Sequence, residues 1–383
     1  MDIVVTTRLM KYFREYYYKS PLGIPDMLFQ REIGFIPFNG TMTRHRKFNG
    51  QAEIEDFVRR SVPRHLYYSS SYYRFPDQHK MLEKEWLGAE LIFDLDADHI
   101  EGADKMTYME ILAEVKKHTL RLLEMLMDDF GFGNKNIKLY FSGGRGYHVH
   151  VESDRIYTMD SDSRREIGDY IRIEGLNMED LKMLDDSYFE FGILKKFNIY
   201  ISNFYINLDE NYIKNVFGKA WWNYINYLEK FYNGEKIIDF LRNDKGNKFK
   251  LLIKQNKSNE KASIDYDRIM LEKILEDFKK SALAEIDEPV TTDIHRLIRF
   301  PYSLHGKTGL MVKPIAIDDL KSFTPLDEAI PDIFLDREAK INLKIDKFSI
   351  KMNKENYNIF RGENSVPLYV AIFTNAINVA EFI

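Results

Sequence analysis

The sequence predicts an α/β chain in which mixed or antiparallel strands are flanked by helices and one mostly helical insertion interrupts the core. Three observations predict it. The run Ala89 to Asp96 (AELIFDLD) is short and apolar, as a buried strand is. Residues 137–151 (IKLYFSGGRGYHVHV) read as strand, Gly-rich turn and strand. Between them, Ile111, Leu112, Val115, Leu122, Leu123 and Leu126 recur at helical spacing and stop at Gly131.

The remaining elements follow in chain order. Residues 7–19 place Leu9, Phe13, Tyr16 and Tyr17 on one helical face, and residues 52–60 suggest a second short helix. RHLYYSSSYYRF (64–75) is aromatic and β-prone, whereas KMLEKEWL (80–87) has helical spacing and ends at Gly88. Residues 161–173 are again helical in pattern. From 176 to 260 Asp, Asn, Lys and Tyr become frequent, and FGKAWWNYINYLEKFY (217–232) is strongly amphipathic, which marks the helical insertion. Thr292 to Arg299 reads as a short helix ended by Pro301, and Ser303 to Gly309 as a turn. The chain therefore divides into a core with a first part at 1–175 and a second at 261–320, the insertion at 176–260, and a motif-free segment at 321–383.

Composition narrows the function. With 44% hydrophobic residues in 383, the chain can build a sizeable core, and 20 Gly with 11 Pro leave little room for long linkers. The absence of cysteine excludes disulfides, thiolate nucleophiles and any zinc site built on sulfur. A net charge of −5 argues against a protein that coats nucleic acid, but not against a local basic groove. Thr43-Arg44-His45-Arg46-Lys47 and Arg59-Arg60 with Arg64-His65 are two such concentrations, each equally readable as solvated surface. No apolar run reaches the roughly 18 residues of a membrane span. The opening residues lack a basic stretch followed by an apolar one, so a cytoplasmic protein is expected.

Three motifs carry chemistry. In FDLD, Asp94 and Asp96 alternate with apolar residues, so on a strand both carboxylates face one way, about 6–7 Å apart. Such a pair is costly to bury unless a cation joins it, and hard divalent ions such as Mg2+ and Mn2+ take oxygen ligands. A strand running into an acidic loop would give the same letters, because Asp98 continues the alternation. In the second motif, Ser142-Gly143-Gly144-Arg145-Gly146 leads into Tyr147-His148-Val149-His150-Val151. Glycines let backbone amides converge on a phosphate, and Arg145 adds a guanidinium fork. A plain hairpin turn, or a zinc or copper site on the two histidines, remains open. The third motif joins Asp287 to Arg299, His305 and Lys307, which together supply positive groups fit for a triphosphate or, equally, a basic surface.

Taken together, QREIGF (30–35), ELIFDLD (90–96), DFGF (129–132), SGGRGYHVHV (142–151), SRREIGDYI (163–171) and VTTDIHRLIRFPYSLHGKTG (290–309) resemble the small-subunit family of archaeal and eukaryotic DNA primases. The resemblance implies an α/β catalytic core with a helical insertion, and synthesis of short RNA primers, with DNA as a further product, on single-stranded DNA. It implies two Mg2+ or Mn2+ ions on Asp94, Asp96 and Asp287, with Asp293 a second choice for the last. It implies nucleotide contacts from Arg31, Ser142, Arg145, His148, Arg299 and His305, nucleoside triphosphates of either sugar as substrates, and a primase large subunit as partner. Members usually carry a Cys-based zinc module; without cysteine no zinc is expected here. The aromatic stretch around Trp221, Trp222, Tyr224 and Tyr227 is a candidate docking face for the partner, or else core. Other activities remain open: a repair-type primase-polymerase of the same fold, a non-catalytic nucleic-acid-binding subunit, and a metallohydrolase using the HxH and DxD pairs.

Overall fold

A computed structural model describes residues 3–184, 186–207, 210–231 and 266–383. Residues 232–260, the last part of the expected insertion, and 261–265, the start of the second core segment, lie outside the described residues. The chain forms two units: Met1–Leu120, Phe132–Gly168 and Glu285–Ile383 make one, and Arg121–Gly131 with Asp169–Ala284 the other.

The larger unit is built on antiparallel strands. One four-stranded sheet has the order Lys313–Ile315, Ile137–Phe141, Tyr147–Val151, Leu91–Leu95. Leu91, Phe93 and Leu95 share a face, as do Tyr147, Val149 and Val151, and all six are fully buried. The alternate positions Ile92, His148 and His150 are buried as well, so both strands are covered on both faces. A second four-stranded sheet has the order Thr43–Arg46, Ile33–Ile36, His65–Ser69, Leu297–Arg299. The opening helix Ile3–Lys19 buries Leu9, Phe13, Tyr16 and Tyr17 at helical spacing, and Gln51–Ser61 buries Ile54 and Val58. The helix Tyr108–Glu124 continues into one wide turn, Met125–Asp129, before Gly131.

Two segments differ from the sequence expectation. Residues 80–87 form only a short tight turn, Met81–Lys84, followed by the strand Trp86–Ala89, which pairs with Ser71–Tyr73. Thr292–Arg299 is not one helix: the helical turn Glu288–Thr292 comes first, and Leu297–Arg299 joins the second sheet opposite Tyr67 to Ser69. In both, a waiting strand edge overrides the local pattern.

The segment after 320 is ordered structure. A long hairpin pairs Glu338–Met352 with Glu355–Pro367. Its turn residues Asn353 and Lys354 have φ of 50° and 65°, the double positive φ that a tight two-residue hairpin turn uses. The helix Leu368–Ala376 is buried along its whole length.

The smaller unit is helical where described: Met178–Met183, Gly192–Asn207, Glu210–Phe217, Trp221–Phe231 and Tyr266–Ala282. Its core includes Leu181, Phe197, Ile201, Ile213, Ile274 and Phe278. In the aromatic stretch Tyr224 is buried and stacks on Phe217, whereas Trp222 is 56% exposed; the side chain of Tyr227 lies outside the described residues. No helix among the described residues is long and apolar enough to cross a membrane.

Candidate active site

The two sheets deliver their functional residues to one cleft of about 540 Å³ in the larger unit, lined among others by Asp94, Asp96, Ser142, Arg145, His148 and Arg299. Asp94 lies opposite His148 across the pairing of Leu91–Leu95 with Tyr147–Val151. Its Oδ1 is 3.6 Å from His148 Nε2. Asp96 has just left the strand, and its carboxylate accepts the Ala97 N–H at 2.6 Å, which fixes the turn that follows. Asp287, some 190 residues later in the chain, is tied to the same strand by its backbone N–H, which donates to the Asp94 carbonyl at 2.8 Å. Arg296 and His99 approach the Asp287 carboxylate at 3.8 and 4.0 Å.

The mutual repulsion of the cluster falls mainly on Asp94. Burial, and then the negative charges of Asp96 and Asp287, push the Asp94 carboxyl up to about 7, with Arg299 and Arg296 opposing the rise only in part. Near neutral pH the Asp94 carboxyl is thus only partly ionised, because burial and its neighbours' negative charge are not fully offset. The donor set is all oxygen, which suits Mg2+ or Mn2+. Among the described residues no three His, Asp or Glu side chains are grouped so as to hold a metal ion.

The opposite wall is cationic. In the loop after Ile137–Phe141, the Ser142 N–H donates to the Gly146 carbonyl at 3.0 Å, and Gly143 takes φ of 77°. A Cβ on Gly146 would stand 2.1 Å from the Leu95 carbonyl oxygen, so only glycine lets the loop lie against the end of the aspartate strand. The loop is held from outside by the Tyr108 hydroxyl, which donates to the Gly144 carbonyl, and by the Thr308 hydroxyl, which donates to that of Gly143. Arg145 pairs with Asp98 at 2.6 Å and stands 4.0 Å from Asp96.

Arg299 donates to His65 Nδ1 at 2.6 Å and lies over the Tyr67 ring. His65 and His305 meet edge to face, with ring centroids 5.2 Å apart. Burial is the first cause, and the neighbouring Arg299 a further one, that depresses His65, His148 and His305 well below the usual imidazole range. All three are neutral near pH 7 in the free protein. They are then hydrogen-bonding groups within a positive field from Arg64, Arg145, Arg299 and Lys307. The Nδ1 of His148 is buried without a hydrogen-bond partner. Such a group awaits a ligand atom or a water.

Of the residues expected from sequence, Asp94, Asp96, Ser142, Arg145, His148, Arg299 and His305 line the cleft, and Asp287 adjoins Asp94. Arg31 is not brought to it. Its guanidinium is fully buried, donates to the carbonyls of Ser69 and Ser70 at 2.8 and 3.0 Å, pairs with Glu90 and stacks on Tyr72. Every donor direction is spent on protein partners, so it braces the two sheets. Glu90 in turn binds His150 Nδ1 at 2.8 Å, so the two histidines of the HxH pair have separate surroundings. Asp293 accepts from the His295 N–H in the turn before Leu297–Arg299. The cleft also contains Arg64, Asp98, Tyr108, Lys307 and Thr308. Lys307 belonged to the third motif, Arg64 was visible only as part of a basic run, and Tyr108 carries no local signal at all.

Comparisons with known proteins identify the family. Residues 93–317 match the family model for the DNA primase small subunit. The chain is 51% identical over 374 residues to a DNA primase small subunit PriS of Picrophilus torridus, covering 98% of this chain and 97% of that protein. It is 36% identical over its whole length to that of Thermoplasma volcanium, covering 99% of it, and 35% identical to that of Methanococcoides burtonii over the whole of both. The chain belongs to the DNA primase small subunit family.

Proposed function

We propose that this chain is the catalytic subunit of a DNA primase, a nucleotidyltransferase that joins nucleoside triphosphates into short primers on single-stranded DNA. The observation that carries the proposal is that one cleft gathers Asp94 and Asp96, with Asp287 tied to the same strand, together with a Gly-rich loop, Arg145, Arg299 and Lys307. Phosphoryl transfer calls for such a set, because it asks the protein for positioning and charge neutralisation more than for covalent chemistry.

Asp94, Asp96 and Asp287 would hold two Mg2+ or Mn2+ ions, which when bound lower the pKa of an attacking 3′-hydroxyl and neutralise the leaving pyrophosphate. Arg145, Arg299 and Lys307 orient the triphosphate through its oxygens. His148 and His305 contribute neutral imidazole hydrogen bonds, which hold a phosphate without attracting a competing anion as strongly as a fixed charge would. The Ser142 hydroxyl and the loop amides complete the cradle. Arg31 is assigned no contact with nucleotide. Zinc has no role in this proposal, since the chain has no cysteine to hold it. We assign a primase large subunit as partner, a chain of net charge −5 having little general attraction for DNA. The site of action would be the cytoplasm, where template and nucleotides are.

The test is synthesis on single-stranded DNA by the full chain, alone and with its large subunit, with ribonucleotides and deoxynucleotides supplied separately. Primers that lengthen only when Mg2+ or Mn2+ is present are expected. Release of phosphate from nucleotides with no polymer formed would replace the proposal with a metallohydrolase.

A further inference from the structure

His65, which in the sequence is only part of a basic run, opens the strand His65–Ser69 and is 5% exposed. It does not line the catalytic cleft. Its Nδ1 meets two donors, the Arg299 guanidinium at 2.6 Å and the Gly306 N–H at 3.3 Å. Arginine and a backbone amide can only donate, so Nδ1 is the acceptor and the ring proton sits on Nε2. Burial, and then the charges of Arg299, Arg64 and Lys307, hold the imidazole down to about 2, so near neutral pH this acceptor is always available. Both donors belong to segments that carry cleft residues. Arg299 ends the strand Leu297–Arg299 opposite Tyr67, over whose ring its guanidinium lies. Gly306 sits in the turn between His305 and Lys307, and its carbonyl accepts from Arg64 at 3.3 Å. A Cβ on Gly306 would stand 2.6 Å from the Arg64 carbonyl oxygen and 2.9 Å from His65 Nε2, so the turn lies directly on the start of this strand. Within the turn the Lys307 N–H donates to His305 Nδ1 at 3.3 Å, which puts the His305 proton on Nε2. That nitrogen is 3.2 Å from where a Cβ on Gly144 would stand, so it is turned to the Gly-rich loop.

We infer that His65 is a positioning residue for primer synthesis: its Nδ1 ties Arg299 and the turn carrying His305 and Lys307 to one strand, and so sets the spacing of the groups that receive the triphosphate. The inference rests on the nucleotide contacts assigned above to Arg299, His305 and Lys307. A long arginine side chain loses rotamer freedom when it grips a phosphate, and its fork is directional, so prior alignment favours binding. The choice of acceptor matters as much as its place. A neutral imidazole aligns the guanidinium without cancelling its charge, which a carboxylate at the same point would do. Arg31 shows the contrast, because its guanidinium is paired with the buried Glu90 carboxylate and serves as a strut. The same imidazole nitrogen also holds Gly306, so Arg299 and His305 keep a common reference in the fold.

The test measures nucleotide KM and kcat for extension of a supplied primer by the full chain with Mn2+. The variants are His65→Leu, His65→Asn, Arg299→Ala, and His65→Leu combined with Arg299→Ala. Leucine fills the space without an acceptor, whereas the asparagine Oδ1 takes the place of Nδ1. His65→Leu is expected to raise KM about tenfold, with kcat changed by less than about threefold. His65→Asn should bring KM back to within about threefold of wild type, a rescue that packing alone would not give. In the Arg299→Ala background His65→Leu should add about threefold at most, because the main group it aligns is gone. Full additivity of the two substitutions overturns the inference, and so does an unchanged KM in a folded His65→Leu protein. If His65→Leu does not fold, His65→Asn decides: a KM raised as far as in Arg299→Ala overturns the acceptor role. Failure of the wild-type chain to extend a primer would instead count against the primase reading itself.

Discussion

Asp94 concentrates the chemistry of the site because burial and two carboxylate neighbours act on it together. Its acid is raised to about 7 in the folded, cation-free protein, against about 3.9 in an unfolded chain. The folded state therefore binds the extra proton between these values. Stability falls as pH rises from about 4 through 7, and the penalty is complete above that window. Asp94→Asn removes the penalty. In chelator its melting temperature should match wild type near pH 4–5 and exceed it at pH 8, by an amount equivalent to roughly 1–2 kcal/mol. A variant less stable than wild type at pH 8 would show that the carboxylates do not repel. Beside these carboxylates, Arg145→Ala and His148→Ala should raise the nucleotide KM by about 10- to 100-fold with a smaller change in kcat, since they hold substrate before chemistry. A pure kcat effect in steady-state kinetics would assign them to the transition state instead. Asp94 and His148 were legible in the sequence because alternation on a strand states which side chains share a face, and Arg145 because it sits in the Gly-rich turn between two strands. Arg31 was not separable from them by sequence, since a buried strut and a phosphate contact both call for arginine; only its partners Glu90, Ser69 and Ser70 distinguish the two.

At the scale of the element, the site depends on how closely the Gly-rich loop approaches the end of Leu91–Leu95. A methyl group on Gly146 meets backbone oxygen that has no rotamer to escape into. Gly146→Ala should therefore cost roughly 2–4 kcal/mol of stability, or displace the loop and abolish nucleotide binding. Gly50→Ala, where a Cβ meets nothing within 4 Å, should stay within about 1 kcal/mol of wild type by thermal melting. Equal effects at the two glycines would remove the close approach from the account. The strand–turn–strand around this loop was readable from its letters. The strands Trp86–Ala89 and Leu297–Arg299 were not, because their apolar spacing fits a helix as well, and what decides them is the strand edges at Ser71–Tyr73 and His65–Ser69. The contribution of Tyr108 is a further case: its hydroxyl reaches a carbonyl 36 residues away, a relation that no local pattern encodes.

For the molecule as a whole, both walls of the cleft belong to the larger unit, which assembles them from segments as distant as Arg64, Asp94, Ser142 and His305. None of the described residues of the helical unit lines the cleft. The exposed Trp222 of that unit sits beside Trp221, with ring centroids 5.1 Å apart. Trp222→Glu should weaken capture of the large subunit by about tenfold or more, as loss of an aromatic anchor does, and leave extension of a supplied primer unchanged. Undiminished capture in a pull-down would place the docking face elsewhere. The C-terminal segment, silent in sequence, proves to border the cleft through Ala376 and Ile377. Its hairpin follows an ordinary alternating pattern, but nothing in that pattern names the surface it will complete.

In the proposed reaction Asp94, Asp96 and Asp287 act as one cation-binding unit for nucleotidyl transfer. The most direct measurement is primer synthesis by Asp94→Asn on single-stranded DNA with Mn2+, alongside its melting temperature. The account predicts loss of synthesis by about a thousandfold or more, with a melting temperature equal to or above that of wild type. Synthesis within tenfold of wild type in a folded Asp94→Asn protein would contradict it.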